Sequence, residues 1–135
     1  MIIKAYIYKI VKMTGVNNEM TQHQKNIEKA NQAKNPIENF TEFYNYSNND
    51  LKVTIQCKQK SDLSPKIIKW SFKLSEKNVA EFYKTCNLGW QPKIKQNYLN
   101  KTWARYLVAY DDKKQPIAFS MFRFDLDYGS AVLYW

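Results

Sequence analysis

The sequence predicts an α+β fold, an antiparallel strand meander with helices on one side. Three observations carry that prediction. The stretch 104–135 alternates apolar runs with polar turns, as consecutive antiparallel strands do. Leu51–Lys58 sets Leu51, Val53, Ile55 and Cys57 against Lys52, Thr54, Gln56 and Lys58, the period of a half-buried strand. Val79, Phe82, Tyr83 and Cys86 fall at i, i+3, i+4 and i+7, one stripe of a helix.

In chain order, Ile2–Val11 reads as a strand, or as an upstream extension if translation begins at Met13. Thr21 is positioned to cap a helix through Ala33, with Ile27, Ala30 and Ala33 on one face. Pro36 opens a short helical turn bearing Ile37, Phe40 and Phe43. The Asn/Ser/Asp cluster Asn45–Asp50 reads as a loop before the strand Leu51–Lys58. Ser61–Pro65 turns the chain into a second predicted strand, Ile67–Leu74, with Ile68, Trp70, Phe72 and Leu74 sharing a face. Ser75 then caps the helix of the Val79 stripe, Gly89 ends it, and Pro92 starts another, with Ile94 and Tyr98 one turn apart. The meander follows: Ala104–Tyr110, a turn at Asp111–Pro116, Ile117–Phe124, a turn at Asp125–Ser130, and a last strand from Ala131. The order is helix, two strands, two helices, three strands. No internal repeat or heptad pattern occurs. The meander stops at Trp135 while still apolar, which suggests the front part of a larger fold, because an apolar edge strand is otherwise left unpaired.

Composition narrows the function classes. With 44% hydrophobic and 16% aromatic residues over 135 positions, the chain has the means to build a core. Its 21 basic and 12 acidic residues leave +9, which admits an anionic partner such as nucleic acid or a membrane surface. The excess sits in the front: residues 101–135 are nearly neutral, with five basic and four acidic groups. Lys52, Lys58, Lys60, Lys66, Lys69 and Lys73 read as the solvated face of a sheet. Cys57 and Cys86 are too few for a zinc site or a disulfide framework and read as buried thiols. His23 stands alone, which argues against metal or triad chemistry. Lysines interrupt the apolar start and no run approaches the ~20 residues of a membrane span, so a soluble intracellular protein is expected.

No phosphate loop, nucleophile elbow or paired histidines are present. Asp125 and Asp127 are either turn formers before Gly129 or a carboxylate pair able to clamp an arginine or an N-terminal ammonium. The aromatics Tyr83, Trp90, Trp103, Tyr134 and Trp135 are either core or a recognition surface.

Several segments occur together in a familiar order and spacing: Asn35–Phe40, Leu51–Lys58, Trp70–Leu74, Gly89-Trp90, Trp103–Ala109, Pro116–Asp125 and Val132–Tyr134. Over about three-quarters of the chain they resemble the N-terminal part of the NatD-type N-alpha-acetyltransferases. These enzymes acetylate the N-termini of histone H4 and histone 2A. The resemblance implies an incomplete GNAT acetyltransferase fold, truncated after its fourth core strand, and acetyl-CoA as co-substrate. It also implies histone tails as partners, without membrane or nucleic acid, and a location in cytoplasm and nucleus. The domain would begin near Asn35, residues 1–34 being an extension with a helix.

Carried over by position, Tyr83 and Trp90 match the loop lining the peptide N-terminus, and Asp125 and Asp127 match two carboxylates receiving the tail. Tyr134 matches the first tyrosine of a Tyr-x-Tyr-Glu run and is the one supporting catalytic residue implied. The expected glutamate base and the Gly-rich acetyl-CoA loop would lie beyond Trp135, and no cofactor-binding or metal residue is expected before it. Leu88 stands where relatives have a second Trp. Relatives commonly carry Cys at the place of Trp135, a codon differing only in its third base, so a mis-predicted exon end would account for the stop. The resemblance makes the chain an incomplete acetyltransferase, inactive alone. The competing readings are a non-catalytic fragment and a basic module binding peptide or nucleic acid.

Overall fold

In the computed structural model, which describes residues 17–127 and 130–134, eight elements follow one another. They are α1 (Asn17–Gln32), β1 (Asn45–Asn48), β2 (Leu51–Gln59), α2 (Pro65–Lys84), α3 (Pro92–Leu99), β3 (Arg105–Tyr110), β4 (Pro116–Asp127) and β5 (Ser130–Tyr134). The strand expected at Ile2–Val11 and the closing Trp135 lie outside the described residues. The class is α+β, and the strands neighbour one another in chain order. The sequence of element types also matches expectation, but two of its members exchange identity.

The first exchange is at 67–74, expected as a strand and found inside α2. Ser64 and Pro65 decide it. The Ser64 hydroxyl accepts the Ile67 N–H at 3.4 Å as an N-cap, and Pro65 occupies the first turn, where its missing N–H costs nothing. From there Ile68, Ser71, Phe72, Ser75 and Val79 form one inward stripe at helical spacing. The alternation Ile68, Trp70, Phe72, Leu74 is the chance overlap of that stripe with its two flanks. Ser75 is therefore interior to a helix of 20 residues, not the cap of a new one. The outer members of the expected stripe, Phe82, Tyr83 and Cys86, are exposed.

The second exchange is at 45–50, expected as a loop. Asn45–Asn48 pairs antiparallel with β2, Asn45 opposite Thr54 and Asn48 opposite Leu51. Asn49 turns the hairpin at φ 51°, a left-handed geometry that asparagine tolerates. Two smaller boundaries also move. α1 begins by Asn17, so Thr21 lies within it rather than capping it. Beyond Pro36 the chain makes a turn and then a single 3-10 turn at Thr41–Phe43 in place of an α-helical one.

The residues divide into two compact units: one of Lys34–Arg123, and one that joins α1 to the Phe124–Tyr134 end of the chain. In the first, β2 runs against β3 from Thr54 opposite Tyr110 to Gln59 opposite Arg105, and Lys60 N–H to Ala104 O extends the ladder at 2.9 Å. β3 pairs with β4 from Arg105 opposite Phe122, with a bulge at Ala109/Tyr110. Asp111 closes that hairpin: its carboxylate accepts the Gln115 N–H at 2.7 Å while Lys114 takes φ 59°.

One face of this sheet carries Tyr106 and Val108, both 0% exposed. Phe119 and Met121, their cross-strand partners, complete it. Leu63, Ile68 and Leu99 close over that face, so α2 and α3 cover the same side, as expected. Burying each of these side chains contributes about 1.5–3 kcal/mol. Tyr106 also fastens the layers, its hydroxyl donating to the Leu99 carbonyl at 2.6 Å. In the second unit, the Asn31 amide donates to the Phe124 carbonyl at 3.3 Å.

Candidate functional site

α2 ends at Lys84, and the chain reaches α3 through residues 85–91. The geometry of that connection follows from local hydrogen bonds. Thr85 Oγ1 donates to Phe82 O at 2.8 Å, and Cys86 returns both its N–H and its thiol to Tyr83 O. Gly89 then turns the chain at φ +64°, a conformation a side chain would strain. Pro92 starts α3 at once.

The outcome is that the Tyr83 and Trp90 rings pack together, centroids 5.9 Å apart and tilted by 55°. Phe72 backs the indole at 6.3 Å, and the indole N–H donates to Glu76 Oε1 at 3.3 Å. Beside the pair opens a groove of about 320 Å³, edged by Leu88, Ile94, Lys95 and Tyr98. Trp90 is half-buried, Leu88 is 70% exposed, and Ile94 and Tyr98 are exposed too. Tyr98 meets Trp103 edge-on at 5.4 Å, and the Arg123 guanidinium lies 5.0 Å from the Trp103 ring centre. An aromatic pair with a carboxylate at its edge is suited to a cation or a small polar tail, held by ring faces and one ion pair.

Two of the sequence-predicted residues, Tyr83 and Trp90, are thus brought together. Asp125 and Asp127 belong to the other unit, where they lie on one face of the last three residues of β4. Both are strand residues: the strand expected to end at Phe124 runs on to Asp127, so the turn expected at Asp125–Ser130 does not begin at Asp125. The Asp125 carboxylate accepts the Leu126 N–H at 2.9 Å, and Asp127 is exposed. Tyr134 ends β5, and its side chain is outside the described residues.

Glu76 and Phe72 escaped the sequence reading. Phe72, Glu76 and Tyr83 share a face only on a helix, as i, i+4 and i+11, and the strand assigned to 67–74 hid that spacing. The lysines are also corrected. Lys66, Lys69 and Lys73 stand on α2, not on a sheet face.

Cys57 is half-buried and Cys86 exposed, so only the first approaches the expected buried thiol. Burial pushes the Cys57 thiol up, with Arg105 nearby opposing. Both cysteines are free, and among the described residues no three His, Cys, Asp or Glu side chains gather as a metal site. No described helix is long and apolar enough to cross a membrane. Against known proteins, no family model matches the chain.

Proposed function

We propose that this chain is the peptide-holding part of a NatD-type N-alpha-acetyltransferase, whose substrates are the N-terminal tails of histone H4 and histone 2A. The observation that carries the reading is the tilted Tyr83–Trp90 ring pair on either side of the Gly89 turn, with Glu76 at the indole N–H. The α+β layout with an antiparallel sheet in chain order is compatible with it. In this reading the tail's terminal residues lie along the groove; Asp125 and Asp127, in the other unit, are a carboxylate pair of the kind that receives an arginine by charge-assisted hydrogen bonds.

Acetyl-CoA would supply the activated acetyl group, but the residues present do not fit it. Gly15, Gly89 and Gly129 are the only glycines, too scattered for a loop of backbone amides around a pyrophosphate. Gly89 leads into a helix whose first residue, Pro92, has no N–H to offer. No step of acetyl transfer is therefore assigned to these residues. They bind and orient the tail.

Calorimetric titration with a Ser-Gly-Arg-Gly-Lys peptide tests this. Binding is expected for the free amine, is weakened severalfold by Trp90→Ala, and is weakened again when the peptide's N-terminus is acetylated. No acetyl-CoA turnover is expected from the 135-residue polypeptide. Equal binding of free and acetylated peptides, or indifference to Trp90→Ala, would sink the proposal.

A further inference from the structure

We propose that the opposite end of the helix pair, where α2 begins and α3 ends, docks an acidic peptide segment through a single apolar side chain. This site is distinct from the aromatic groove and does not depend on the reading given to that groove. A cavity of about 420 Å³ lies there, floored by Leu63, Ile68 and Leu99. Lys60 and Lys69 stand at its edge, and no carboxylate lines it.

Lys69 also belongs to a longer row. Lys66, Lys69, Lys73 and Lys77 are spaced by three, four and four, which places them on one stripe of α2 about 16 Å long. All four are exposed, and among the described residues none forms an ion pair. Lys69 with Lys73, and Lys73 with Lys77, are like charges one turn apart, an arrangement that destabilises a free helix. An anionic partner along the row removes that repulsion.

The occupant follows from combining the two features. The cavity is within the size range of ligand pockets and takes one leucine-sized or phenylalanine-sized group. The stripe runs well past it, so the anion is extended and has several charges. Single-stranded nucleic acid uses exposed aromatic platforms between its basic contacts. Here Trp70 and Phe72, the aromatics beside the stripe, are half-buried against the core. An acidic chain with one apolar anchor satisfies both the floor and the row.

The test is fluorescence anisotropy of the full chain with a labelled peptide of alternating Asp and Glu around one central Leu. Replacing that Leu by Ser should weaken binding about ten- to hundredfold, the contribution of one buried leucine. Lys69→Glu with Lys73→Glu should weaken it about tenfold or more, and raised salt should do likewise. Gln96→Trp, at an exposed position on the cavity wall, should block the anchor while leaving the circular dichroism unchanged. Indifference to the Leu-to-Ser change or to Gln96→Trp overturns the anchor. Indifference to the lysine reversals overturns the stripe. Tighter binding of an oligothymidylate than of the peptide overturns the choice of partner.

Discussion

Replacing Tyr106 by Phe removes one oxygen from the centre of the larger unit and tests how α3 is tied to the sheet. The hydroxyl is fully buried and donates at 2.6 Å to the Leu99 carbonyl, an acceptor left open at the end of α3. Phenylalanine fills the same space, so the loss is that of the bond itself and of a carbonyl stranded beside a residue 1% exposed. Stranding a buried acceptor costs about 1–3 kcal/mol. Taking about 2 kcal/mol, the melting temperature of a unit this size falls by roughly 8–16 °C.

A pH signature separates this from simple loss of packing. Burial pushes the Tyr106 phenol well above its ordinary value, so the unfolded chain ionises there first. Stability from this group is complete below about pH 10 and falls above it by ~1.4 kcal/mol per pH unit, until the folded-state value is reached. The Tyr106→Phe protein lacks that loss. Tyr110 and Cys57, also raised by burial, titrate in both proteins and cancel in the comparison. Urea unfolding at pH 7, 10 and 11 should therefore show a gap of about 2 kcal/mol at neutral pH that narrows between pH 10 and 11. A gap under ~0.5 kcal/mol at pH 7, or one that stays constant in alkali, would refute the argument.

Other perturbations address single features. Ser71→Ala should stabilise the chain by about 1 kcal/mol in thermal unfolding, because the Ser71 hydroxyl is 0% exposed without a hydrogen-bond partner and alanine is the better helix former. Lys114→Gly should raise the free energy of unfolding by about 1 kcal/mol, read from urea denaturation, since Lys114 sits at φ 59° in the β3–β4 turn. Leu88→Trp should tighten Ser-Gly-Arg-Gly-Lys binding severalfold by giving the groove a third aromatic wall. No change in affinity would place position 88 outside the peptide path. Asp125→Asn with Asp127→Asn should weaken the arginine-containing peptide about tenfold, with little effect on its arginine-to-alanine counterpart. The melting temperature should hardly move, and an equal loss for both peptides would refute an arginine-holding role for the aspartates.

The cavity lies where α2 begins and the aromatic groove where it ends, with the lysine row running along the helix between them, and this arrangement bears on how each is to be probed. Lys69 and Lys73 make no ring contact with Tyr83 or Trp90, so variants there are expected to leave the pair in place and let the groove serve as a control. The groove is expected to select a cationic tail and the row an anionic one. One helix would then present two partners of opposite charge.

Where local signals agreed, the sequence alone was enough. β2 was legible because its alternation of apolar and polar residues matches a half-buried strand and nothing else. α3 was legible from Pro92, and the β3–β4 hairpin from its Asp-Asp-Lys-Lys turn between two apolar runs. Gly89 was legible as the end of a helix, whereas Tyr83 and Trp90 were singled out together only by what the resemblance implied.

Tertiary structure decided what local patterns left degenerate. Ile68, Trp70, Phe72 and Leu74 satisfy a strand's period over four residues, yet burial of Ile68 and Ser71 beneath a helix capped at Ser64 outweighs it. β1 has no apolar signal, being exposed along its whole length, and exists only because β2 supplies its hydrogen bonds. The lysines changed meaning for the same reason: their spacing of three and four makes a stripe only once the backbone beneath them is helical. Composition supplied the charge, and the packing of α2 on Tyr106 and Val108 chose the face that carries it.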